Sequence, residues 1–249
     1  MVNIQKAAVI GCGFVGSTIA YTLMQKGLFS EMVLLDANKA KAEGEAMDIS
    51  HGLPFTHAMD IYAGEYEDIA DASVVIITAG ANQKPGETRL DLVQKNAAIM
   101  RSIIKEIKRV NCEGILLIVS NPVDILTEVA LRESGFPKER VIGSGTVLDT
   151  ARLKYIISEK LDVDSRNVHA FIVGEHGDSE LAAWSCANIY GIKLQDFAKM
   201  RGYEHFAQDM EEVYKGVRDS AYEIIERKGA TYYGIGMAAE KIVEAIVRN

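Results

Sequence analysis

One histidine lies in a setting that suits proton transfer. His176 stands in "GEHGDSE", directly after the apolar run "HAFIVG", and Gly174 and Gly177 flank it. Histidine titrates near neutral pH, and small neighbours let a ligand approach the ring closely. A single histidine is more often structural, so a structural role stays open. No HExxH or paired-ligand spacing surrounds any histidine, so no metal site is predicted.

A carboxylate and a cation stand three residues apart in "LDTARLKY", at Asp149 and Arg152. On a helix this spacing puts both side chains on one face. One interpretation is a simple helical ion pair. In the other, Asp149 holds a histidine in the correct tautomer while Arg152 clamps a carboxylate with two hydrogen bonds. The motif alone does not choose between them.

The loop "ANQKPGETRLD" places an amide, Gln83, and a fixed cation, Arg89, directly after a predicted strand. Pro85 and Gly86 break regular structure between them. Such a loop either contacts a substrate or is an idle surface connection.

The first predicted strand runs into "GCGFVGS", in which Gly11, Gly13 and Gly16 form a GxGxxG pattern that opens a helix. Glycines there permit a tight turn and close approach of the backbone to a pyrophosphate. Asp36 ends the second predicted strand, where a carboxylate would bind ribose hydroxyls and repel a 2′-phosphate. The pattern favours NAD over NADP, and the alternative is a structural glycine turn.

The alternation of elements predicts an α/β fold. Four continuous apolar runs read as buried strands of a parallel sheet, and helical patterns separate them. The runs are "AAVIG", "MVLLD", "SVVIITAG" and "GILLIVSN". We therefore expect a doubly wound parallel Rossmann sheet over residues 1–143. The later pattern of strands followed by helices predicts a second, α+β domain over residues 144–249.

Composition narrows the classes of partner. The chain has 249 residues, a formal net charge of −8 and a pI near 5.2, so no basic surface for nucleic acid is expected. The longest apolar run, "ILLIV", is too short to cross a bilayer, and no secretory leader is visible. Three dispersed cysteines suggest neither disulfides nor zinc, which favours a reduced cytoplasmic protein.

Taken together, the sequence resembles the L-lactate and malate dehydrogenase family, and within it the bacterial L-lactate dehydrogenases most closely. The resemblance rests on five elements in family order and extends to "KGATYYGIGMA". They are "GCGFVGS", "TAGANQKPGETRLDLVQKN", "VSNPVD", "GSGTVLDTARLKY" and "VGEHGDS". It implies reversible hydride transfer between NADH and a 2-keto acid, and a homotetramer.

The resemblance also implies a role for particular residues. His176 would exchange the proton, oriented by Asp149, while Arg152 grips the substrate carboxylate and Arg89 polarises its carbonyl. Asn121 and Thr231 would also contact substrate. The NAD site would comprise Gly11, Gly13, Phe14, Val15, Gly16, Asp36, Thr78, Ala79, Gly80, Asn121 and Ile235.

Substrate choice is expected to depend on Gln83. Malate dehydrogenases resemble this loop but carry arginine there, and a neutral amide offers no countercharge to a second carboxylate. Pyruvate and L-lactate are therefore the predicted substrates, with malate or another 2-hydroxy acid as the alternative. The resemblance also suggests activation by fructose 1,6-bisphosphate through Lys154 and His169, where lysine replaces the family's arginine.

Relatives continue past the position of Asn249 with further strands and a long helix. From this we expect an incomplete second domain, in which the strand around "AAWSCANI" lacks pairing partners. An NAD-binding protein with impaired catalysis is therefore a second functional hypothesis.

Overall fold

The structure is a computed structural model, and it describes residues 1–81, 86 and 88–248, with the backbone alone for residue 89. The chain divides into two compact units. The first comprises Met1–Ser144 together with residues 232–248, and the second comprises Gly145–Thr231. None of the helices in the described ranges combines the length and the apolar character needed to cross a membrane.

The first unit contains a six-stranded parallel sheet. Its strands are β1 (Asn3–Ile10), β2 (Glu31–Leu35), β3 (Asp60–Ala63), β4 (Ala72–Ile77), β5 (Ile115–Ile118) and β6 (Val141–Gly143). Their order is β3-β2-β1-β4-β5-β6, the arrangement of a doubly wound dinucleotide-binding sheet. The predicted fold class is confirmed, and the sequence reading missed only the short strands β3 and β6.

Both faces of this sheet are buried, which explains the continuous apolar runs. In β1, Ala7 and Val9 belong to one apolar cluster while Ala8 and Ile10 belong to another. Alternate side chains of a strand point to opposite faces, so the two clusters are the two covered sides of one sheet.

Helices cover the sheet and build most of the second unit. In chain order they are α1 (Phe14–Lys26), α2 (Lys39–Ser50), α3 (Arg89–Arg109), α4 (Val123–Ser134), α5 (Val147–Leu161), α6 (Leu194–Met200), α7 (Phe206–Lys228) and α8 (Tyr233–Arg248). Helix α1 ends at Gly27 in the left-handed conformation, as predicted. Helix α3 begins earlier than its apolar pattern because Thr88 and Asp91 form a capping box.

The last helix packs within the first unit, whereas the sequence reading placed residues 144–249 together. Ala239 and Val243 of α8 lie in the same apolar cluster as α1. The two helices approach so closely that a Cβ on Gly236 would lie 2.5 Å from Cγ2 of Thr18. Lys26 of α1 also pairs with Glu244 of α8. Small residues and this ion pair account for the placement.

The second unit combines α5, α6 and α7 with five short strands. These are β7 (Val168–His169), β8 (Ile172–Val173), β9 (Leu181–Ala182), β10 (Asn188–Ile189) and β11 (Ile192–Lys193). Strand β10 pairs antiparallel with both β7 and β11, and β8 pairs with β9. The expectation that the strand around "AAWSCANI" lacks partners is therefore wrong, because neighbouring segments of the same unit supply them.

Candidate active site

The glycine loop after β1 is packed so tightly that two of its positions have no room for a side chain. Gly11 has φ +102°, and a Cβ there would lie 2.6 Å from the amide nitrogen of Ala79. A Cβ on Gly16 would lie 1.8 Å from the carbonyl oxygen of Gly11. These two glycines therefore bring strand, turn and helix into contact, the arrangement that a pyrophosphate-binding turn requires.

The third glycine, Gly13, is at the N-terminus of α1 and leaves space open. No described side chain lies within 4 Å of its ideal Cβ, and none of the described side chains caps the helix there. Backbone amides and the positive end of the helix dipole thus face an open region, which suits a phosphate group.

That region is part of a cavity of about 800 Å³ at the carboxyl edge of the sheet. Its lining includes Gly11, Gly13, Asp36, Thr78, Ala79 and Gly80. Ligands of open α/β sheets bind at this edge, at the point where the strand order reverses. The size and the residues fit a dinucleotide such as NAD.

Asp36 is fixed beside the glycine loop. One carboxylate oxygen accepts the amide of Cys12 at 2.7 Å, and the other accepts the amide of Asn38 at 2.9 Å. Each oxygen has a further lone pair to offer to a ribose hydroxyl. The same packing buries the thiol of Cys12. Burial and the charge of Asp36 raise the pKa of that thiol to about 12.

The loops that follow β1, β4 and β5 are bonded to each other. The Thr78 hydroxyl donates to the carbonyl of Gly11 at 2.7 Å, and the Ser120 hydroxyl donates to that of Ala79 at 2.7 Å. The side-chain amide of Asn96 donates to the carbonyl of Asn121 at 2.9 Å, next to the cis peptide before Pro122. The predicted cofactor residues of these loops therefore share one edge of the sheet.

The remaining residues predicted for the cofactor site lie at the start of α1 and in α8. Phe14 is exposed, and its ring stacks on Tyr232 at 5.3 Å between centroids. Val15 and Ile235 are partly buried against the apolar cluster of the first unit. Thr231, predicted to line the substrate pocket, is the last residue of the second unit.

In the second unit the structure brings His176 and Asp149 into contact. Nδ1 of the histidine lies 2.6 Å from Oδ2 of the aspartate, which is buried on α5. Arg152, one turn along α5, donates from Nη1 to the other oxygen, Oδ1, at 2.9 Å. The helical ion pair of the first interpretation is therefore present, and the same carboxylate contacts a histidine as the second interpretation expects.

The charges in this cluster favour the ionised form of both His176 and Asp149: they raise the pKa of the histidine and lower the pKa of the aspartate. The hydrogen bond and charge of Asp149 raise the pKa of His176 above its ordinary value, against the opposing effect of burial. Burial raises the pKa of Asp149, but the hydrogen bond and charge of His176 and the charge of Arg152 outweigh it, so that pKa is lowered. The arrangement can hold a proton on a histidine near neutral pH and present a guanidinium beside it.

Sequence reasoning missed one further member of this cluster. Glu180 is buried in the same motif as His176, and its carboxylate lies within 4.8 Å of that of Asp149. Burial and the charge of Asp149 raise the pKa of Glu180 to about 7. The only signal in the sequence is a carboxylate four residues after the histidine, which does not by itself distinguish a buried group from a solvated one.

The Asp149, His176 and Glu180 ligand atoms lie within 4.8 Å of one another, a spacing that a metal ion could also use. The direct 2.6 Å contact between the histidine and the aspartate is that of a short hydrogen bond. We therefore interpret the trio as a proton-holding network, and the absence of a resident metal stays a prediction.

The other predicted residues are placed less completely. Gln83 lies outside the described residues, and Arg89 is described only as the first residue of α3. Lys154 is half-buried on α5, and His169 is exposed in β7, opposite Asn188.

Comparison with known proteins extends these observations. Residues 5–143 match the family model described as lactate/malate dehydrogenase, NAD binding domain. Residues 146–249 match the model described as lactate/malate dehydrogenase, alpha/beta C-terminal domain.

Individual relatives agree with the family models. An L-lactate dehydrogenase of Acetivibrio thermocellus is 56% identical over 246 residues, which cover 99% of this chain and 78% of that protein. An L-lactate dehydrogenase of Priestia megaterium is 55% identical over 243 residues, which cover 98% of this chain and 76% of that protein. Among solved structures, a lactate dehydrogenase from a Medee basin deep-sea metagenome library has a TM-score of 0.96 at 54% identity, with 100% and 79% covered. The minor L-lactate dehydrogenase of Enterococcus mundtii, in the ligands-bound form, has a TM-score of 0.94 at 48% identity, with 98% and 77% covered.

Proposed function

We propose, because this chain belongs to the lactate/malate dehydrogenase family, that it catalyses reversible hydride transfer between NADH and pyruvate, giving L-lactate and NAD. The observation that carries the proposal is the contact of His176 with Asp149, with Arg152 on the same carboxylate. The names of the relatives, L-lactate dehydrogenases at 52–56% identity, support the choice of substrate.

Bound NADH supplies the hydride, and the residues of the chain supply position and charge. Gly11, Gly13, Gly16 and Asp36 hold the cofactor through backbone amides and a carboxylate. Phe14 and Val15 at the start of α1, the loop residues Thr78, Ala79, Gly80 and Asn121, and Ile235 of α8 complete the proposed cofactor site.

Reduction of a keto acid builds negative charge on the carbonyl oxygen, which must be protonated. Protonated His176 gives that proton, and Asp149 stabilises the charged imidazole beforehand. Arg152 grips the carboxylate of the substrate with its free N–H groups, so that C2 is aligned for hydride transfer. In the reverse direction neutral His176 accepts the proton of lactate.

Three further residues are assigned to substrate on the family pattern. Arg89 polarises the reacting carbonyl, Asn121 contacts the substrate oxygen, and Thr231 lines the pocket. A fixed cation near the developing oxyanion lowers the barrier because its charge is already in place.

Gln83 is proposed to select pyruvate over oxaloacetate. A neutral amide leaves a second substrate carboxylate without a countercharge, which is costly in a closed site. The test compares NADH oxidation with pyruvate and with oxaloacetate in the wild type and in Gln83→Arg. A wild type that prefers oxaloacetate, or an arginine variant with an unchanged ratio, would show this assignment to be wrong and would favour the malate or 2-hydroxy-acid alternative.

We also propose a cytoplasmic homotetramer that serves glycolytic fermentation and is activated by fructose 1,6-bisphosphate. The family pattern supports the assembly, and Lys154 and His169 match the family's phosphate-binding positions. Lysine binds phosphate as a point charge, so activation should be weaker than with arginine. Titration of the bisphosphate at subsaturating pyruvate should lower the apparent KM, and an unchanged KM would dispose of the effector role.

A further inference from the structure

A second carboxyl group is buried against the Asp149–His176 pair, and the proposed reaction gives it no role. Glu180 is 3% exposed, and its carboxylate lies within 4.8 Å of both the Asp149 carboxylate and a ring nitrogen of His176. One of its oxygens, Oε2, also lies 3.4 Å from the amide of Gly177. The histidine, the aspartate and this glutamate thus form one connected polar cluster in the second unit.

We propose, building on the proposed function, that Glu180 is a positioning residue of this reaction. As a neutral acid it donates a hydrogen bond to Asp149, and so fixes the carboxylate on which His176 is oriented. When Glu180 ionises, its charge acts on His176 and changes the pH at which the histidine exchanges its proton.

The assignment of the proton follows from the partners of each carboxyl group. Two carboxylates in contact do not both ionise readily, since like charges repel and burial adds a desolvation cost. Asp149 has a histidine and an arginine on its two oxygens, at 2.6 and 2.9 Å, and these hold it ionised. Glu180 has the weaker set of partners and is therefore the member that retains a proton. Its pKa, raised to about 7, agrees with this.

Groups from each packed element face this carboxyl. Helix α5 contributes Asp149, to which Arg152 is bound, and the loop before β9 contributes His176. From α7, the Tyr214 hydroxyl donates to the backbone carbonyl of Glu180, and the guanidinium of Arg218 lies 4.8 Å from the Tyr214 ring centroid. Among the described residues, the charges that act on Glu180 are therefore those of Asp149 and His176, and Arg152 is bound to Asp149.

A consequence is that His176 and Glu180 titrate together. Near neutral pH the loss of the glutamate proton adds a negative charge beside the imidazole, which raises the pKa of His176. Glu180 thereby extends the pH range in which the histidine remains protonated. Removal of the ionisable group, without removal of the hydrogen bond, should abolish this extension.

The test is a pH titration of the His176 ring by NMR in the cofactor-free protein. Glu180→Gln keeps a neutral hydrogen-bond donor and should move the His176 midpoint down by on the order of one pH unit. Glu159→Gln, an equal charge change at an exposed position of α5, should leave the midpoint at the wild-type value. A His176 midpoint in Glu180→Gln that coincides with the wild type would overturn the proposal.

The NMR readout needs no turnover, so it separates this inference from the proposed function. If pyruvate is reduced, the pH at which kcat/KM declines should fall in Glu180→Gln, with the KM for NADH unchanged. If pyruvate is not reduced, the proposed function fails while the His176 midpoint still decides the coupling.

A measurement on the wild type alone covers the case in which Glu180→Gln does not fold. With ¹³C-labelled glutamate, one carboxyl resonance should titrate near neutral pH instead of in the acidic range of ordinary glutamates. Titration of every glutamate carboxyl in the acidic range would contradict the proposal.

Discussion

Nδ1 of His176 lies 2.6 Å from Oδ2 of Asp149, although 27 residues separate them along the chain. The carboxylate is buried on α5 and is held on its other side by Arg152. This contact fixes the orientation of the imidazole and raises its pKa. The proton-exchange chemistry of the proposed reaction depends on it.

Replacement of Asp149 by asparagine should lower the pKa of His176, because it removes the charge and hydrogen bond that raise it. Pyruvate reduction requires the protonated histidine, so its kcat/KM falls as pH rises through that pKa, and in Asp149→Asn the decline should occur at lower pH. At neutral pH we expect a loss of about 10²-fold or more in kcat/KM. Stopped-flow or steady-state pH profiles measure this.

Asp162→Asn is the matched control, because Asp162 ends the same helix and is fully exposed. Its profile should overlay that of the wild type. An Asp149→Asn profile with the wild-type midpoint would show that the aspartate does not tune the histidine.

Lysine in place of Arg152 should weaken substrate binding selectively. After its bond to Asp149 the guanidinium of Arg152 still has N–H groups that can bind a substrate. A planar guanidinium can form two parallel hydrogen bonds to a carboxylate, whereas the ammonium of a lysine cannot. We expect kcat/KM for pyruvate to fall by about 10²-fold, with most of the loss in KM. Arg166→Lys, at an exposed arginine paired with Asp164, should have no such effect. Equal losses in the two variants would remove Arg152 from the substrate site.

Asp36→Asn should reduce the preference for NADH over NADPH. The carboxylate that accepts the Cys12 amide would no longer repel a 2′-phosphate or accept two ribose bonds. The KM for NADH should rise by about tenfold, which corresponds to the loss of roughly one hydrogen bond to a charged group. Asp48→Asn, an exposed change of equal charge on α2, serves as the comparison. An unchanged ratio of the two KM values would argue against a ribose contact.

Alanine at Gly16 should damage both the fold and cofactor binding. Its methyl group would lie 1.8 Å from the Gly11 carbonyl oxygen, so the turn or the helix must move. Overpacking of this kind costs roughly 1–3 kcal/mol or more in the free energy of unfolding. Gly44→Ala lies in open space on α2 and should instead stabilise by about 0.5–1 kcal/mol through helix propensity. Thermal melting and NADH fluorescence distinguish the two, and a Gly16→Ala protein as stable as Gly44→Ala would contradict the packing argument.

Local sequence predicted much of the first unit and less of the second. The runs around Ala7 and Val74 predicted buried strands because both faces of a parallel sheet are apolar. Strand β3 was missed because its four residues, DIYA, form no continuous apolar run, unlike the four residues ILLI of β5, and β6 was missed because it has only three residues. The placement of α8 was missed because the small residues that face α1 are not distinguishable in sequence from those of any amphipathic helix.

For the site, motif spacing supplied residue types, and the proximity of Asp149 to His176 was expected only from the family resemblance. Asp149 and Arg152 were recognisable as a pair at helical spacing, but their convergence on His176 depends on tertiary packing. Glu180 was missed because burial, and not spacing, is what sets its properties.

The central claim is that His176 exchanges the proton in NADH-dependent reduction of pyruvate. The most direct measurement is steady-state NADH oxidation with pyruvate by the wild type, by His176→Asn and by His205→Asn, an exposed histidine at the start of α7. We predict turnover by the wild type and His205→Asn, and a loss of about 10²–10⁴-fold in His176→Asn with NADH binding retained. Pyruvate reduction by His176→Asn at the wild-type rate, or none by the wild type, would contradict the account.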